Sequence, residues 1–227
     1  MRRYQGFLKP DVGNVNVSSG RKLHDWKKNQ EEYRDKNPLS FQQNGRRIAI
    51  LSTPQQEQDV IALYHELVGL GTIKGVKFYS TSQHETYDSL VLLEYGDIDD
   101  FSFSPKTPLG VFRDLLPNYL SEPLVLEYKH DLDDLIADFE GDSKFDTQIN
   151  FVVCWTSGTR YKERFYLRPL LVGSEGGNRT VFGATHQAFL LGGGQQPAFE
   201  IVILRDLLRY LSNPKEEEAR QKSMYAD

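Results

Sequence analysis

Glu127 and Lys129 sit two residues apart at the end of the apolar run Leu124-Val125-Leu126. Alternate side chains of a β-strand share a face, so a carboxylate and an ammonium emerge there together, on the side of Val125. Ions are costly to bury without partners, and this pair serves either as a structural ion pair or as chemistry. Acid-x-Lys triplets also occur at Asp25-Trp26-Lys27 and Asp142-Ser143-Lys144, both in polar surroundings; only the Glu127 triplet closes a strand-like run. Two more acids extend the set. Asp88 stands at the start of the strand-like segment 86–95, where it either bonds a neighbouring loop or joins the same site. Glu57 falls, at about 100° per residue, among Val60, Ile61, Tyr64, Leu67 and Val68 on one side of an expected helix. It either complements the helix dipole in the first turn or turns toward a metal site. Carboxylates gathered beside a lysine are the donors of a hard, oxygen-ligated cation that assists hydrolysis.

The elements that must position these residues alternate in type. Ser52-Thr53-Pro54 reads as a cap and first turn, followed by a helix over 54–70. Strands are expected at 76–79 and 86–95, then an acidic loop at 96–104 and a short helix at 108–119. The Glu127 strand comes next, then a helix at 131–139 capped by Asp131 and a buried strand at 149–155. Helices alternating with strands in this way imply an α/β sheet with some parallel pairing. Beyond it, 160–171 alternates as a strand with Lys162, Arg164 and Arg168 on one side. That side either follows a phosphate backbone or is an ordinary solvated face. A partner strand at 180–191 carries His186 and Gln187, which either face the cleft or are structural. Gly192-Gly193-Gly194 reads as a hinge before a helix at 197–211. The expected division is a flexible polar arm (1–45, with a helix at 21–36), one domain (46–213) and a charged, solvated tail (214–227).

Composition narrows the classes. With 227 residues, 39% hydrophobic and 26% charged, the chain is ordinary for a globular domain with a substantial core. A net charge of -5 argues against a generally basic nucleic-acid binder, but it allows a local basic groove or an acidic metal site. The single cysteine, Cys154, lies in an apolar run and excludes both an intrachain disulfide and a cysteine-based zinc cluster. Met1-Arg2-Arg3-Tyr4 has no apolar segment behind it, so no signal peptide and no membrane span are read. The expected compartment is the cytoplasm.

The order of elements, with these residues in it, resembles the PD-(D/E)xK nuclease superfamily, the restriction-endonuclease-like group of restriction, repair and defence nucleases. The likeness covers residues 46–155 and rests on Tyr87-Asp88, on Glu127-Tyr128-Lys129 and on Glu57 in the preceding helix. Tyr87 stands where the motif has proline. The resemblance implies a mixed central sheet flanked by helices, with extra C-terminal strands and a helix in this chain. Its core is a helix, three mostly antiparallel strands, a crossover helix and a further strand. It also implies a metal-dependent nuclease that hydrolyses DNA phosphodiester bonds, in restriction, repair or phage defence. Asp88, Glu127, Lys129 and Glu57 would be catalytic; Asp88, Glu127 and the Tyr128 carbonyl would hold Mg²⁺ or Mn²⁺. Later segments are similar to nuclease-like tails fused to bacterial ATPases. The expected partners are therefore DNA and a protein partner or ATPase-containing assembly; a homodimer is compatible, a membrane is not. The alternative is a catalytically inactive nuclease-fold module that binds nucleic acid or a protein partner.

Overall fold

The computed structural model describes residues 17–82 and 86–225. Residues 1–16 of the expected arm, 83–85 of the polar break before Asp88 and the last two residues of the tail lie outside the described residues. The chain divides into two compact units, residues 1–39 with 51–53, and residues 40–50 with 54–227. In the first, α1 (Val17–Lys36) begins earlier than the expected 21–36 helix. The chain after it folds on itself: the Leu39 amide donates to the Leu51 carbonyl, the Thr53 amide to the Asn37 carbonyl (both 3.0 Å), and Tyr33 Oη lies 3.0 Å from Thr53 Oγ1.

The second unit starts with a hairpin, β1 (Gln42–Gln43) and β2 (Arg46–Arg47). Asn44 and Gly45 turn it with φ of 50° and 77°, the positive values a two-residue type I′ turn requires. Helix α2 (Glu57–Gly69) follows. Its cap is Gln56 rather than Ser52 or Thr53, and Asp59 Oδ2 accepts the Gln55 and Gln56 amides at 2.9 and 3.2 Å.

A mixed sheet flanked by helices forms the body of this unit. β3 (Val76–Thr81), β4 (Ser89–Tyr95) and, after the short α3 (Ile98–Phe101) and β5 (Tyr119–Leu120), β6 (Leu124–Asp131) pair antiparallel in that order. Helix α4 (Leu132–Glu140) then crosses over to β7 (Phe151–Thr156), which lies parallel to β6. β8 (Phe165–Pro169), β9 (His186–Leu190) and β10 (Phe199–Ile203) complete the order β3-β4-β6-β7-β10-β9-β8, with β10 parallel to β7. Helices α5 (Leu204–Ser212) and α6 (Pro214–Met224) close the chain. β10 is buried throughout and β7 from Phe151 to Trp155, as parallel strands covered on both faces must be. One face of β6 carries Tyr128, whose ring meets Tyr64 of α2 at 5.8 Å. The opposite face carries Glu127. There Leu135, Ile136 and Phe139 of α4 pack with Val152, Cys154, Ile201 and Ile203 in one cluster. Each large apolar side chain so buried contributes about 1.5–3 kcal/mol.

Several expected elements differ. Residues 108–119 form no helix: Val111 bridges Ser102, a 3₁₀ turn covers Arg113–Leu115, and Gly110 lies so close to the 101–103 backbone that a Cβ would meet it at 2.5 Å. Leu109 and Val111 are buried singly in a loop, Leu115 and Leu116 are half-buried and Phe112 is exposed, so no stripe forms. Residues 160–163 form a 3₁₀ turn, so Lys162, Arg164 and Arg168 share no strand face; Arg164 pairs with Asp146 at 2.8 Å and Arg168 lies over the Phe189 ring at 4.4 Å. The 197–211 helix splits into β10 and α5, and the expected solvated tail is a helix that buries Glu217 and Gln221. Cys154 is buried and free. Among the described residues no helix is long and apolar enough to cross a membrane.

Candidate active site

β6 is longer than the strand beside it. Its pairing with β4 ends at Leu126, opposite Ser89, while its pairing with β7 continues to Asp131. Residues 127–131 therefore have β7 on one side and a notch on the other. Asp88, the residue just before β4, fills the start of that notch. Its Oδ2 accepts the Tyr128 amide at 2.8 Å, and its own amide donates to Glu127 Oε1 at 3.2 Å. Each carboxylate thus satisfies a backbone donor of the other segment, and the two acids are interlocked at the sheet end.

The second Glu127 oxygen, Oε2, accepts a hydrogen bond from the Lys144 ammonium. Glu127 is wholly inaccessible, and the Lys144 side chain is 10% exposed. Lys129 pairs elsewhere: its Nζ lies 3.0 Å from Asp138 Oδ2 on α4 and 3.7 Å from Glu57 Oε2 at the start of α2. Asp138 Oδ2 also stands 3.9 Å from Lys144 Nζ. Glu127 and Lys129, expected as a pair or as joint catalysts, thus hold different partners on the same face. Glu57 does not sit in the middle of a buried stripe. It is the first residue of α2, with a side chain 38% exposed, and it leans over the notch toward Lys129.

Burial pushes the Glu127 carboxyl up to about 7; the Lys144 hydrogen bond opposes this and the negative charge of Asp88 adds to it. Glu57 is raised for the same first reason, with Lys129 pulling it down and Asp88 pushing it up. Burial works against the charge on Lys129, but the Asp138 hydrogen bond and charge, with Glu57 and Asp88, hold its pKa above the ordinary lysine value.

Beside the notch opens a cleft of about 680 Å³, lined by Glu57, His65, Thr81, Asp88, Ser89 and Tyr128. Nothing in the sequence pattern singles out His65. It stacks on Phe78 with centroids 4.2 Å apart, its Nε2 lies 3.2 Å from Tyr128 Oη, and burial lowers its pKa. His186 and Gln187 take no part in the cleft. His186 is buried against Tyr225, and Gln187 Nε2 donates to Glu200 and to the Asn178 carbonyl, both at 3.0 Å.

Comparison of the chain with protein-family models, curated proteins and solved structures finds no match. Among the described residues no three His, Cys, Asp or Glu side chains stand together as a ready ligand set for a metal ion. In kind, the two interlocked carboxylates and the Tyr128 carbonyl are the hard oxygens that Mg²⁺ and Mn²⁺ take. In their present arrangement, the Lys144 ammonium holds Glu127 Oε2.

Proposed function

We propose that this chain is a metal-dependent nuclease that hydrolyses DNA phosphodiester bonds, built on the restriction-endonuclease-like core of the PD-(D/E)xK superfamily. The observation that carries the reading is the interlock of Asp88 with Glu127 at the notch in β6, with Lys129 and Glu57 beside it and an open cleft adjoining. The succession α2, β3, β4, β6, α4, β7 supports it as well. It is a helix, three antiparallel strands, a crossover helix and a further strand, in the order the resemblance implies.

Asp88, Glu127 and the Tyr128 carbonyl are the groups that would hold Mg²⁺ or Mn²⁺. A bound ion supplies neutralising charge to the phosphoryl oxygens and acidifies a water molecule. Lys129, kept charged by Asp138 and Glu57, orients the attacking water or stabilises the negative charge that develops in the transition state. Glu57, at the mouth of the cleft, adds an outer carboxylate. The cytoplasm is the compartment proposed for this activity, and restriction, repair or phage defence its setting.

The test is nicking of supercoiled DNA in Mg²⁺ or Mn²⁺ by the wild-type chain beside Glu127→Ala and Lys129→Ala. Each variant is expected to lose activity by about 10²-fold or more. Equal nicking by all three would mean contamination and would remove the enzymatic reading. One contact, Lys144 on Glu127, favours a second reading: an inactive module of the same fold that retains nucleic acid or a protein partner without cutting. DNA retention that ignores divalent ions, with no nicking, would mark that case.

A further inference from the structure

We infer that Lys144 is the resident counter-cation of this site, and that its ammonium leaves Glu127 for Asp138 when a divalent ion binds. The inference rests on the metal-dependent reading above and names the group that must move for an ion to enter.

Glu127 has both oxygens engaged. Oε1 takes the Asp88 amide, a backbone group fixed by the start of β4, whereas Oε2 takes the end of a long, flexible lysine side chain. Only the second can be vacated without moving the sheet. Glu127 is also wholly inaccessible, while its interlocked partner Asp88 lines the cleft, so an ion arriving through the cleft meets Asp88 first and reaches Glu127 only as Lys144 withdraws. The ammonium has somewhere to go: Asp138 Oδ2 is 3.9 Å from Nζ already. Its loop does not need to follow. The Ser143 amide and hydroxyl are fastened to the Asp138 carbonyl at 3.1 and 2.9 Å, which pins the backbone beside Lys144 to the end of α4 and leaves the four-carbon stem to swing. Charge asks for the exchange. When all are ionised, four carboxylates (Glu57, Asp88, Glu127, Asp138) face two ammonium groups (Lys129, Lys144), a surplus of two negative charges that one divalent cation would neutralise.

The experiment is Mn²⁺ binding to the full chain without DNA, followed by the electron paramagnetic resonance of free Mn²⁺. Lys144→Met is expected to bind about tenfold more tightly than wild type and Glu127→Gln about tenfold more weakly. Wild-type binding that Glu127→Gln weakens but Lys144→Met leaves unchanged or weakens would overturn the displacement and leave the metal-dependent reading standing. Absence of Mn²⁺ binding by wild type and Lys144→Met alike would overturn both. A second measurement needs no variant. Acetylation of Lys144 by acetic anhydride, mapped by mass spectrometry on the wild-type chain, should be slow without metal and several-fold faster in saturating Mg²⁺. An unchanged rate in a chain that binds the ion would sink the inference.

Discussion

Tyr128 donates its amide to Asp88 because β6 continues where β4 has ended, and an orphaned strand amide must find another acceptor. Asp88 therefore has a structural duty apart from any chemistry, and substitution separates the two. Asp88→Asn keeps an acceptor oxygen and is expected to unfold in urea within about 1 kcal/mol of wild type; Asp88→Ala strands the amide and should cost about 1–3 kcal/mol. Both should abolish nicking and Mn²⁺ binding. If the asparagine variant nicked DNA as wild type does, the carboxylate would be structural only. The Glu127 triplet was legible because a charge closing an apolar strand stands out in any sequence. Asp138 and Lys144 were not, because what brings them to the site is a length. The nine residues of α4 rise about 13 Å, which β6 covers in about four residues, so the helix returns the chain level with Glu127. Asp138, in the last turn of α4, meets Lys129. Reading Asp142-Ser143-Lys144 as polar surface weighed its neighbours in sequence and missed that return.

Elements with one strong local signal matched their sequence, and elements defined by company did not. α4 is the clear case: Asp131 Oδ1 accepts the Asp133 amide at 2.9 Å, Asp134 Oδ2 accepts the Asp131 amide at 3.3 Å, and Leu132, Leu135, Ile136 and Phe139 are buried as their spacing requires. β10 was misread because Ile201, Leu204, Leu207, Leu208 and Leu211 also fit a helical period. The β-branched run Ile201-Val202-Ile203 instead takes the slot beside β7, and the helix starts only at Leu204. α6 was misread because its sequence is almost wholly polar, and only the fold reveals that it carries a buried charge cluster. Arg220 lies 2.8 Å from Asp206 and 2.5 Å from Glu217, both acids being almost inaccessible. Among the described residues, Arg220→Leu leaves Asp206 with the longer contacts of Arg205 and Arg209, and Glu217 with the Gln221 hydrogen bond. Loss of about 2–3 kcal/mol in urea unfolding is expected. A loss no larger than that of Lys222→Leu, whose ion pair with Glu218 is exposed, would mean that α6 frays in solution as its composition indicated.

At the scale of the molecule, alternating helices and strands announced an α/β sheet, and two further C-terminal strands were expected, but not that β10 would join β9 and β8 to β7 and bury a histidine in the far half of the sheet. His186 is wholly buried, its Nδ1 is 2.9 Å from Thr185 Oγ1, and its Nε2 meets no hydrogen-bond partner among the described residues. Tyr225 faces it at 5.0 Å, Arg220 comes from α6, and Arg179 acts on it from the 178–185 segment. Burial drives its pKa down to about 3, and the charges of Arg220 and Arg179 push the same way. The unfolded chain takes up a proton near pH 6.5, whereas the folded chain refuses it until about pH 3. The contribution of the neutral ring is therefore fully present above pH 6.5 and is lost as pH falls through the interval below, at about 1.4 kcal/mol per pH unit. Between pH 7.5 and 5.5 the wild-type unfolding free energy should drop by about 1.4 kcal/mol more than that of His186→Gln. All other ionisable groups are the same in both proteins, so the difference between the two slopes isolates the imidazole whatever the glutamine costs in absolute stability. Parallel slopes would mean that the folded chain accepts the proton, and that water reaches the space between β9 and α6.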